Sequence, residues 1–124
     1  MTILQALAAL DRLEPNDYSD ATKLQWLSEF DGQVQKDVYD THLCECRKPF
    51  QGYDCRTDLA ATQLLIPAPY DGVYLAYLLL RICVQNADGA RYPVVLNEFN
   101  RTYRSFTDWF NRTYRPKAGC ALKF

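Results

Sequence analysis

Four side chains able to hold a soft or borderline metal fall within fourteen residues: His42, Cys44, Cys46 and Cys55. Zinc takes about four such ligands in a tetrahedron. The His-x-Cys-x-Cys start is tighter than the usual gap between zinc ligands, and no second Cys-x-x-Cys knuckle follows. The four are therefore a weak metal candidate, and a reduced cysteine-bearing loop is the simpler expectation. A disulfide from Cys44 or Cys46 to Cys55 can form in purified protein without serving a function. His42 is the one histidine, and it can in principle act as base to a nucleophilic thiol, but no spacing selects such a dyad. It reads instead as a surface residue at a helix end, where a cation is mildly favourable. The serines number three (Ser19, Ser28, Ser105), and the chain has no Gly-rich phosphate loop and no His-Glu metal helix. The expectation is no catalysis and no cofactor.

A second constellation is cationic. Arg101, Arg104, Arg112 and Arg115 share one side of a helical pattern with Asp108 among them. Forked guanidinium groups suit an acidic protein surface. They also suit phosphates, with tyrosines or Trp109 available to stack on bases. A solvated helix face is the third reading. Two Asn-Arg-Thr sequons begin at Asn100 and Asn111, and they matter only in a secreted chain.

The elements that position these groups are helices. Ile3, Leu7 and Leu10 predict a short amphipathic helix over about Thr2–Leu13, with Thr2 as N-cap. Pro15 and Asn16 end it. Ser19 or Asp20 can cap a second helix, in which Leu24, Leu27, Phe30, Val34 and Val38 hold one face to about Thr41. Gly32 weakens that helix by roughly 1 kcal/mol relative to Ala. Cys44–Thr57 has no period and reads as a loop or irregular hairpin. Gln63–Ile66 reads as extended, ahead of Pro67 and Pro69. A third helix, about Tyr70–Asn86, has Arg81 as its only charge between Val73 and Val84, as befits the centre of a bundle, with Cys83 as a small core residue. Asp88 and Gly89 are expected to terminate it.

The fourth helix, about Tyr92–Tyr114, carries Tyr92, Leu96, Phe99, Tyr103, Phe106 and Phe110 on one stripe, and Pro116 stops it. Within it Phe99-Asn100-Arg101-Thr102-Tyr103-Arg104 recurs as Phe110-Asn111-Arg112-Thr113-Tyr114-Arg115. The shift of eleven residues is close to three helical turns. Lys117–Phe124 is a short basic tail. The predicted fold is all-α: a small bundle of about four helices, residues 1–115, with an irregular cysteine-containing insertion at 43–58 and an extended tail at 116–124.

Charge is distributed unevenly. The net charge of −1 is the sum of −6 over residues 1–90 and +5 over residues 91–124. Such a layout suits an acidic partner, and it lets identical subunits meet unlike face to unlike face. A hydrophobic content of 48% with 23% charged residues excludes a disordered chain. The uncharged runs Leu59–Tyr70 and Val73–Leu80 fall short of the about 20 apolar residues that span a bilayer. No early Lys or Arg and no cleavage pattern mark the N-terminus as a signal peptide, so the five cysteines are expected to be reduced.

Four segments in this order carry a resemblance: Leu13–Asp20 (LEPNDYSD), Lys23–Gly32 (KLQWLSEFDG), Leu64–Asp71 (LLIPAPYD) and Asp108–Pro116 (DWFNRTYRP). Over nearly the whole chain they resemble small head–tail connector (adaptor) proteins of tailed phages and prophages. The cysteine loop is not part of the pattern. The resemblance implies a structural subunit without catalysis or cofactor. It would form a ring, a dodecamer in the virion from subunits that are monomeric when free. That ring would sit beneath the portal protein and extend the DNA channel toward a stopper or tail protein. DNA would pass through without sequence-specific binding, and no membrane would be involved. The location implied is the virion neck, and the host cytoplasm during assembly. The segment Arg115–Phe124, with Lys117 and Phe124, would engage the portal, while Arg101, Arg104 and Arg112 are expected to meet an acidic surface on the neighbour or the portal. A nucleic-acid-binding module of a mobile element, using the arginines, and a small metal-binding regulator, using the cysteine loop, are the alternatives.

Overall fold

The computed structural model describes residues 1–43 and 50–116. They form a small all-α bundle. The first helix, α1, runs Ile3–Leu13 behind a reciprocal cap: Thr2 Oγ1 accepts from Gln5 N–H at 3.2 Å, and Gln5 Oε1 accepts from Thr2 N–H at 2.9 Å. The next two free N–H groups of its first turn, Ile3 and Leu4, donate to the carbonyls of Thr62 and Leu59. The stretch expected to be extended thus lies across the start of α1, where Gln63 bridges Thr2 and Leu64 and Ile66 are buried.

Helix α2, Asp20–Asp37, starts at Ser19, whose hydroxyl accepts from Thr22 N–H. Its face Leu24, Leu27, Phe30 and Val34, continued by Val38, is buried as the spacing predicts. The helix stops short of Thr41 and passes into one 3-10 turn, Tyr39–Thr41, because Thr41 Oγ1 turns back to donate to the carbonyls of Asp37 and Val38. Two residues of strand follow, β1 (His42–Leu43). Residues 50–58 hold neither helix nor strand.

A 3-10 turn at Tyr70–Gly72 leads into α3, Val73–Gln85. No residue from Val73 to Cys83 is exposed, and α3 touches α1, α2 and the fourth helix, so it is the centre of the bundle. It ends in a Schellman turn: Asp88 N–H reaches Cys83 O and Ala87 N–H reaches Val84 O. The left-handed position is Ala87, at φ 53°, rather than the expected Gly89.

Helix α4, Tyr92–Thr113, packs mainly on α3. Its apolar stripe is buried unevenly. Phe106 and Phe110 are sealed, Phe99 and Tyr103 are half-buried, and Tyr92 is 39% exposed. At the start of α4, Tyr92 lies beside the end of α3, and Arg91, just before the helix, grips Glu14 through two bonds of 2.8 and 3.3 Å. Beyond α4, Arg115–Pro116 forms β2, antiparallel to β1, with Leu43 opposite Arg115 and His42 opposite Pro116. Pro116, the last described residue, thus lies beside His42.

Candidate docking surface

His42 is not the surface residue its position suggests: it is 1% exposed. Nδ1 lies 2.8 Å from the Val38 carbonyl, which can only accept, so Nδ1 carries the hydrogen. Nε2 lies 2.6 Å from Asn111 Oδ1, and the ring stands edge-on to Phe110. A buried imidazole fixes the end of α2 to α4, and both its nitrogens are in use. Ligating a metal would break one of these bonds. Of its companions, Cys55 is a free, exposed thiol, and Cys44 and Cys46 lie outside the described residues. Among the described residues no group of three or more His, Cys, Asp and Glu converges as a metal site. Cys83 is buried and donates to Asp88 O.

Burial concentrates polar chemistry at Asp31, which the residue pattern did not single out. Its carboxylate, fully buried on α2, accepts from Tyr74 Oη at 2.6 Å, from Leu65 N–H at 3.2 Å and from Tyr53 Oη. Tyr74 Oη in turn accepts from Ile66 N–H at 2.7 Å. Burial lifts the carboxyl above the usual carboxylate range, while the two phenols and the Leu65 N–H pull it back. Both phenols are pushed upward by burial and by the carboxylate beside them. Every oxygen of this cluster is turned inward to tie α2, α3 and two loops together, which makes it a structural knot. A second charge inside the fold, Lys23 at 2% exposed, is held by Asp11 at 2.6 Å.

The exposed chemistry lies on α4. At about 100° per residue, Arg101, Arg104, Asp108 and Arg112 fall within one arc of roughly 80° facing away from the buried stripe. All four are exposed. Arg101 is occupied, gripping Glu98 through two bonds of 2.6 and 3.1 Å. Arg104 and Arg112 have no ion pair among the described residues. Arg115 is exposed on β2, off the helix, and Lys117 and Phe124 lie outside the described residues. The two copies of the internal repeat share a local device, since Thr102 and Thr113 both donate to the carbonyl four residues earlier. Their asparagines diverge: Asn100 is exposed, whereas Asn111 holds His42.

Among the described residues no helix is long and apolar enough to cross a membrane. No protein-family model, no curated protein and no solved structure matches the chain.

Proposed function

We propose that this chain is a structural assembly subunit, a head–tail adaptor that forms a ring under a portal and extends the DNA channel toward the tail. In this reading it performs no catalysis. It acts at the virion neck after assembly in the host cytoplasm. Its partners are the portal, its own neighbours in the ring and a stopper or tail protein. The observation that carries the proposal is the outward face of α4, where exposed Arg104 and Arg112 flank Asp108. The four segments resembling adaptors add to it.

The same face bears on the nucleic-acid alternative. A phosphate-binding surface gains from uniform positive charge. Here one arginine is already paired with Glu98 and a carboxylate sits between the other two. A face of mixed sign matches a patterned protein surface better than a polyanion.

The test is to mix the purified chain with the portal ring of the phage or prophage that encodes it, and to image the product. The expected result is a second ring stacked coaxially on the portal. Reversing Arg101, Arg104 and Arg112 to Glu should abolish it. Intact rings and portal binding in that triple variant would refute the assigned surface. Salt-sensitive DNA binding by the isolated chain, without portal binding, would favour the nucleic-acid reading instead.

A further inference from the structure

A row of side chains on α2 matches the α4 row in spacing and opposes it in charge. On α4 the row is Arg104, Asp108, Arg112; on α2 it is Glu29, Gln33, Asp37. Both are spaced i, i+4, i+8, so each runs about 12 Å along its helix. The α2 row edges a cleft of about 410 Å³. The cleft is floored by aromatic rings of three helices: Phe30 lies 4.6 Å from Tyr77, 5.8 Å from Phe99 and 5.9 Å from Tyr103. Ring faces attract a guanidinium within about 6 Å, and a carboxylate at the rim adds charge pairing.

Each carboxylate has a local partner that an incoming guanidinium would share: Arg81 and Gln25 for Glu29, Gln33 for Asp37. Glu29 is 49% exposed and reaches Arg81 only at 3.8 Å. Asp37 accepts from Gln33 and has no ion pair among the described residues. Burial, with Asp37 nearby, pushes the Tyr103 phenol up to about 12, so its hydroxyl stays a donor at the cleft.

We infer that this cleft receives the Arg104–Asp108–Arg112 row of a second copy of the chain. The two guanidinium groups meet Glu29 and Asp37 over the aromatic floor, and Gln33, one N–H of which already serves Asp37, turns its other N–H to Asp108. One molecule cannot satisfy itself this way. The α4 row points almost opposite to Phe99 and Tyr103, through which the same helix lines the cleft. The contact is therefore heterologous: each copy keeps a free row and a free cleft, and addition continues until a ring closes. This rests on the adaptor reading and names the contact between its subunits.

The test uses the full chain and two double variants, Arg104→Ala/Arg112→Ala and Glu29→Ala/Asp37→Ala. Thermal melts establish folding, which is expected to survive because none of the four positions is buried. Sedimentation equilibrium up to about 1 mM then reads association. The wild type should self-associate, less so in high salt. Each variant alone should associate at least about tenfold more weakly. Mixed one to one, they should stop at a heterodimer, because one intact cleft meets one intact row and the other pair is lost.

A cleft variant that associates like the wild type overturns the inference. So does a mixture that stays monomeric, or a wild type that is monomeric throughout. Portal imaging separates the two levels. Rings of the cleft variant on the portal would sink the inference and leave the adaptor reading standing, whereas a wild type that forms no ring on the portal removes that reading.

Discussion

Tyr74→Phe isolates the Asp31 cluster with little change in shape. The lost oxygen serves two partners, donating to Asp31 at 2.6 Å and accepting from Ile66 N–H at 2.7 Å. Tyr74 and Asp31 are both fully buried. A bond to a charged acceptor contributes about 1.5–3 kcal/mol, and an orphaned buried N–H costs about 1–3 kcal/mol. Phe fills nearly the same volume, so no cavity cost is added. The expected loss is about 3–5 kcal/mol, or a melting temperature lower by roughly 12–20 °C for a chain of this length. Tyr53→Phe removes one bond at a half-buried ring and should cost less, about 1–2 kcal/mol. Urea titration of both variants, and of each combined with Asp31→Asn, gives the coupling energies directly.

The pH dependence supplies a second check. Burial raises the Asp31 carboxyl above its unfolded value. The folded chain therefore binds that proton more readily than the unfolded one, and this group's contribution to stability falls as pH rises through the window above the usual carboxylate range. Losing the Tyr74 donor raises the carboxyl further. The deficit of Tyr74→Phe should accordingly shrink as pH is lowered from 7 toward about 4. A loss under about 1 kcal/mol at neutral pH, or a deficit that grows on acidification, would refute the assignment of Tyr74 as a donor to an ionised carboxylate.

Other substitutions probe the local rules. Ala87→Gly should stabilise by about 0.5–1 kcal/mol, read by urea titration, because Ala87 holds the left-handed position of a Schellman turn that Gly occupies without strain. Gly52→Ala should destabilise by about 1–2 kcal/mol: its φ is +85° and an added Cβ would stand 2.9 Å from Ser28 Oγ, the group that accepts from Tyr53 N–H. Asp11→Asn should lower the melting temperature and flatten its fall in acid. The hydrogen bond from Lys23 holds the Asp11 carboxyl below its ordinary value, so that contribution is present above the unfolded value and lost as pH falls through the folded one.

Helices were legible where local rules act alone. Thr2 and Ser19 cap the helices their spacing predicts, and the α2 face is buried residue for residue. What escaped was set by contacts distant in sequence. Asp31 reads as one more solvated charge in a helix until Tyr53, Leu65 and Tyr74 converge on it from 22, 34 and 43 residues away. His42 reads as an exposed helix end until Asn111, 69 residues on, closes over it. The α4 stripe shows the opposite failure. Its period was correct, but period cannot say how far the rest of the bundle extends, so Tyr92 is exposed near Val84 at the end of α3. The arginines were legible as a face; that Glu98 claims Arg101 follows from a rotamer choice no spacing fixes.

Where the arginine row sits along α4 matters as much as its charge. The first residues of α4, Tyr92 to Val94, are exposed. Arg104, Asp108 and Arg112 instead alternate with Phe106, Thr107 and Phe110, all buried, and Asn111 bonds His42 at the same level. The backbone bearing the row is thus held by the densest packing of the helix. Docking then orders the arginine side chains but not the helix, which removes one of the larger costs of association. A charged row on the less covered first turns would pay that cost in full. On the proposed reading, Arg104, Asp108 and Arg112 stand on the anchored half, where a partner would meet a preformed row.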